Sequence, residues 1–212
     1  MIGEITISAT GRRSENPYMD GSDWSSEKNI VIIKELFETM KKPFKLYLGD
    51  KPERYNLDRV YFISGGANGI DQMFFELVDQ KIKPWLEGKL GIQVINELAL
   101  PFIGQEINWK SFEDKQLFHS QLYRADIVTY VDKLHNYKIK GLSEDVRDNR
   151  KYFMRDKYMV DRANYLIAGW DNIEKGGTWN TIKYAQGEGC HPMFDGIYFC
   201  DLEKINKELG VL

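Results

Sequence analysis

Strand-like and helix-like runs alternate along almost the whole chain, and this alternation limits the fold more than any single motif. The segments "EITISATG", "RVYFIS", "IQVINELALP", "DIVTYVD", "NYLIAGWD" and "MFDGIYFC" are short and rich in β-branched and aromatic residues. Helical spacing separates them. In "SSEKNIVIIKELFETMKK" the apolar residues fall at Ile30, Ile33, Leu36, Phe37 and Met40. "GIDQMFFELVDQKI", "WKSFEDKQLFHSQLYRA", "NRKYFMRDKYMVDRA", "GGTWNTIKYAQGEG" and "DLEKINKELG" complete the helical set. Such a pattern predicts an α/β fold: a doubly wound, mostly parallel sheet with helices on both faces. The chain shows no repeat, linker or low-complexity tract, so residues 1–212 are expected to form a single domain. Segments 43–57 and 132–148 fit no core element and are expected to be insertions, lid loops or oligomer contacts.

Right-handed crossovers gather the strand-to-helix loops at the carboxyl edge of such a sheet, where ligands bind near the reversal of strand order. Three glycine-rich turns fall on that edge: "TGRR" (10–13), "SGGANG" (64–69) and "EKGGT" (174–178). Glycine lets a ligand approach the backbone, and the amides of a following helix's first turn attract anions. Gly65, Gly66 and Gly69 therefore point to a phosphate or sugar site, with Asp71 suited to ribose hydroxyls. Arginine is a bidentate phosphate donor, which makes Arg12 a candidate for neutralising charge. Ser64 has no GxSxG context and is expected to contact ligand rather than act as a nucleophile. Trp109, after the "ALPF" loop of the third strand, and Trp179, after "EKGGT", are candidates for packing or for stacking on a base. In "NRKYFMRDKYMVDR", Arg155 and Arg162 lie seven apart on one side of a helix, and Asn149, Arg150 or Arg155 could reach a phosphate.

Composition excludes several classes. A formal net charge of −3 disfavours a broad duplex-binding surface. Cys190 and Cys200 lie ten residues apart, and His119, His135 and His191 are scattered. Neither set has metal-ligand spacing, so no metal or cofactor is expected. No segment approaches the roughly 18 apolar residues of a membrane helix, and the N-terminus lacks a leader pattern. A cytoplasmic protein without a membrane partner is the expectation.

The ordered set of "TGRR", "SGGANGID", "ALPF…Q…W", "ADIVTYVD" and "NRKYFMRDKYMVDRANYLIAGWDNIEKGGTWNTIKYA" resembles the SLOG superfamily, specifically its YpsA-like branch, related to DprA/Smf and LOG-type proteins. The likeness spans roughly residues 5–190. It implies a Rossmann-like fold with a strand-end pocket for nucleotides or nucleotide-derived ligands. Carried over position by position, the pocket comprises Gly11, Arg12, Ser64, Gly65, Gly66, Asn68, Gly69 and Asp71. Pro101, Phe102 and Asp161 join it, and Gly176, Gly177 and Thr178 finish it; Trp109 and Arg155 are added as ligand-binding candidates on their own positions in the sequence. LOG enzymes are phosphoribohydrolases whose PGGxGTxxE-type motif supplies a glutamate. The matching stretch here, "KGGTWNTIKYA", has no proline and no acid before Glu188. The favoured expectation is thus a binding module, a sensor or sequestering protein for a small molecule such as an ADP-ribose-like or cyclic nucleotide signal. The alternatives are an N-glycosidic hydrolase using Asp71 or Asp161, and DprA-like binding of single-stranded DNA. Homo-oligomer formation is left open.

Overall fold

The structure, a computed structural model, describes residues 3–21, 23–48, 57–143, 146–187 and 194–210. Six strands, β1 (Gly3–Gly11), β2 (Leu57–Ser64), β3 (Gln93–Leu100), β4 (Ile127–Tyr130), β5 (Tyr165–Trp170) and β6 (Gly196–Asp201), form one sheet. Every pairing is parallel, in the order β4-β3-β2-β1-β5-β6. The winding runs from β1 out to β4, then restarts on the other side of β1 with β5. This is the doubly wound, Rossmann-like fold that the alternation predicts, and its switch point lies between β1 and β5.

The helices are α1 (Glu27–Leu48), α2 (Ile70–Leu77), the single turn α3 (Lys83–Trp85), α4 (Phe112–Arg124), α5 (Asn149–Arg162), α6 (Gly176–Gln186) and α7 (Leu202–Glu208). Period-two alternation in the strands supplies two apolar faces. Ile5, Ile7 and Ala9 of β1, Phe62 of β2 and Ile167 of β5 pack with Ile32, Leu36 and Met40 of α1 and Met73 and Phe74 of α2. On the opposite face, Ile63 and Ala99 meet Tyr158 and Met159 of α5, while Leu166 meets Val160 of α5 and Ala185 of α6.

Two stretches differ from the sequence expectation. Residues 43–48 continue α1 rather than breaking it, with Pro43 inside the helix; residues 49–56 of that segment lie outside the described residues. After α2 the chain stays helical through five-residue π turns at Val78–Ile82 and Leu86–Leu90, ending at Gly91 with φ 67°. Segment 132–143 is a loop containing short 3-10 turns, packed beside α5.

Candidate functional site

The edge begins with a steric fit between two strand ends and a helix. Gly11 and Gly169 pair across β1 and β5, and a Cβ on either would lie 2.4 or 2.8 Å from Ile70. The absence of those two carbons lets the first residue of α2 settle over the strand ends. Gly69, at φ 93°, passes so close to the β1 loop that a Cβ would sit 2.5 Å from the Arg12 carbonyl. The Ile70 amide then donates to that carbonyl at 3.1 Å. The glycine loop and "TGRR" therefore dock on each other.

Arg12 makes its bonds inside the chain. Its Nε (2.8 Å) and Nη2 (2.6 Å) donate to Asp171 Oδ1, Nη2 also to the Ile173 carbonyl (2.9 Å), and Nη1 to the Lys175 carbonyl (3.1 Å). Asp171 is buried and also accepts from Asn16 Nδ2 and the Ile173 amide. Arg12 thus clamps the 171–175 loop that launches α6. That helix starts at Gly176 behind Lys175, with no side chain capping it, so its first-turn amides are left for another acceptor.

These elements enclose a cavity of about 360 Å³ at the switch point, lined by Thr10, Gly11, Arg12, Arg13, Ala67, Asp71, Tyr152, Arg155, Asp156, Gly177 and Thr178, with Glu15 and Asn16. Arg13 is exposed, lies 5.6 Å from the Tyr152 ring centre and forms no ion pair among the described residues. Arg155, buried, stands between two acids, with Nη1 3.4 Å from Asp71 Oδ2 and Nε 2.8 Å from Asp156 Oδ1. Gly65 makes room for it, since a Cβ there would fall 1.4 Å from Nη1. Burial pushes the Asp71 carboxyl up to about 6 against the pull of Arg155, with Asp156 adding to the rise. Asp156 is likewise raised by burial and held back by Arg155.

Of the residues singled out from sequence, the cavity brings together Gly11, Arg12, Asp71, Arg155, Gly177 and Thr178, with Gly176 beside Arg12 Nη1. The others lie elsewhere. Asn68 donates to Ser14 Oγ (2.7 Å) and Asp114 Oδ2 (3.0 Å), tying the loop to the start of α4. Gly65 and Gly66 offer their carbonyls to Gln105 Nε2. Ser64 is fully buried, and its hydroxyl has no partner among the described residues. Phe102, beyond Pro101, packs edge-on against Tyr152, and Trp109 packs on Phe118. Asp161 accepts from the hydroxyls of Tyr137 (2.8 Å) and Tyr184 (2.7 Å), away from the cavity lining. Trp179 stacks on Trp170 at 5.4 Å with their planes 9° apart.

Tyr152 and Asp156 are lining residues that the sequence expectation lacks, whereas Arg13 belongs to the "TGRR" turn that it singles out. Tyr152, Arg155 and Asp156 follow the i, i+3, i+4 rule of one helix face, a spacing legible in "YFMRD". No group of three His, Cys, Asp or Glu among the described residues is placed to hold a metal ion. No helix among them is long and apolar enough to cross a membrane.

No protein-family model matches the chain. It is 32% identical over 155 residues to the uncharacterized SPbeta prophage-derived protein YoqJ of Bacillus subtilis strain 168, an alignment covering 69% of this chain and 85% of that protein. The chain belongs to the YoqJ family. For this YoqJ-family chain the relationship carries no activity, and any reading of the cavity rests on its chemistry.

Proposed function

We propose that the chain binds a nucleotide or nucleotide-derived small molecule in the switch-point cavity, as a sensor or sequestering protein of SLOG, YpsA-like type. The observation that carries this reading is the mixture of chemistry within one cavity. The uncapped start of α6 and the unpaired Arg13 suit a phosphate, while Asp71 and Asp156 suit sugar hydroxyls. Three arginines and three carboxylates line it, so no excess of positive charge draws in a bare polyanion. That balance favours a molecule that offers both an anion and donors over the backbone of single-stranded DNA. Arg12 acts through the 171–175 loop, and Arg13 and Arg155 face the ligand.

The test is native mass spectrometry for a ligand carried through purification, then calorimetric titration with ADP-ribose, cyclic nucleotides and nucleoside phosphates. Binding in the micromolar range that weakens at least tenfold in Arg13→Ala is expected, equivalent to about 1.4 kcal/mol or more. No binding at millimolar ligand would refute the reading.

One observation favours a second reading, hydrolysis of a nucleotide N-glycosidic bond. Asp71, raised to about 6, lines the cavity and can hold a proton close to neutral pH. Water would add at the anomeric carbon as the C–N bond breaks, Asp71 would protonate the departing base, and the proton lost by the water would return to the Asp71 carboxylate. Free base released from a nucleoside monophosphate, and lost in Asp71→Asn, would establish it. Binding without release would leave the sensor reading alone.

A further inference from the structure

Segment 132–143 and α5 enclose a second cavity of about 300 Å³, lined by Asp132, Tyr137, Lys138, Ile139, Leu142, Ser143, Lys151 and Met154. Helix α5 serves two cavities: Lys151 and Met154 face this one, while Tyr152, Arg155 and Asp156 face the other. The Phe102 ring lies between Lys151 Nζ, 5.6 Å away, and the Tyr152 ring, 5.3 Å away. Asp132 and Lys151 are both more than nine-tenths buried and paired, Nζ to Oδ2, at 3.2 Å. The other carboxylate oxygen, Asp132 Oδ1, is sealed from solvent and has no hydrogen-bond partner among the described residues. A buried charged acceptor without a donor is an uncommon arrangement, and such atoms are normally satisfied by protein, water or ligand.

We propose that this cavity is a second ligand site, which takes a neutral aromatic N-heterocycle bearing an N–H, on the ring or on an exocyclic amine or amide, that donates to Asp132 Oδ1. Charge selects neutrality. Lys151 already balances Asp132, so a cation would meet the Lys151 ammonium, and an anion would meet the second carboxylate oxygen of Asp132. The walls select an aromatic body, since Tyr137, Ile139 and Leu142 are apolar or nearly so and Met154 brings a polarizable sulfur suited to ring edges. Size selects one or two rings, because the cavity lies at the lower end of small-molecule pockets. The proposal stands independently of the switch-point reading.

The experiment uses the full chain with 13C-methyl methionine, the Met154 resonance being assigned from Met154→Leu. Adenine and nicotinamide are titrated as probes, and N,N-dimethylnicotinamide serves as the control lacking the donor. Saturable movement of the Met154 methyl is expected with the first two and not with the control. Asp132→Asn should weaken binding at least tenfold, because Lys151 keeps the amide oxygen and turns the NH₂ towards the incoming N–H. Leu142→Trp, which fills the cavity from its rim, should abolish binding; the remaining methionine methyls report that each variant is folded. No movement of Met154 with either probe up to its solubility limit would overturn the site. Undiminished binding in a folded Leu142→Trp, or in a folded Asp132→Asn, would do the same.

Discussion

Replacing Asp71 by Asn should make the protein more stable at neutral pH. The carboxyl is buried and raised from 3.8 to about 6, so the fold holds its proton more tightly than the unfolded chain does. The cost of ionising it in the fold is absent well below pH 3.8, grows between 3.8 and 6, and is complete above that window. A rise of that size is worth about 3 kcal/mol. Asn removes the charge, keeps an oxygen for the Ala67 amide, and leaves Arg155 paired with Asp156. Urea denaturation should therefore show Asp71→Asn ahead of the parent by about 3 kcal/mol at pH 7.5 and by roughly half of that at pH 5. At pH 3.5 the two should nearly coincide. With an m-value of about 2 kcal/mol/M, the neutral-pH gap moves the midpoint by roughly 1.5 M. Equal or lower stability of the variant at pH 7.5, or a gap that does not change with pH, would refute the assignment of burial as the dominant influence on Asp71.

Gly65→Ala should expel the Arg155 guanidinium, whose Nη1 would lie 1.4 Å from the new carbon. A loss of about 1–3 kcal/mol in urea denaturation and at least tenfold weaker ADP-ribose binding by calorimetry are expected. Glu97 is fully buried and accepts from Tyr158 (2.6 Å), Thr129 (2.8 Å) and Arg162 (2.8 Å). Glu97→Gln should lower stability by about 2 kcal/mol, measured by thermal denaturation, because it leaves donors facing a neutral amide. Burial pushes the Cys200 thiol up to about 12. In a Cys190→Ser background, Cys200 should react with an aromatic disulfide reagent at pH 8 only on unfolding; reaction at the rate of a free thiol would contradict its burial.

The sheet and its edge are legible in the sequence because period-two runs, helical spacing and glycine turns are local features. "TGRR" and "GGT" mark the two sides of the switch point for that reason. Side-chain destinations are set by partners far along the chain and are much less legible. Asn68 reads as a ligand contact until Ser14 and Asp114 arrive to take its amide. Gly65 reads as open backbone, yet the space it leaves is filled by Arg155, 90 residues later in the sequence. Trp109 follows a pocket loop in sequence and turns to Phe118 in space. The π-turn extension after α2 carries Pro84 and Gly88, residues that argue locally against a helix, and it forms nonetheless.

The clamp between Arg12 and Asp171 joins positions 159 residues apart. A chain growing from its N-terminus has the arginine early, but must complete β5 and the start of α6 before the switch-point cavity exists. No ribosome-bound fragment shorter than about residue 178 has both of its walls. Closing so long a loop is slow compared with forming the neighbouring βα units. A ligand held there consequently recognises the finished topology, and its presence during synthesis would favour release of the whole fold over any truncated product.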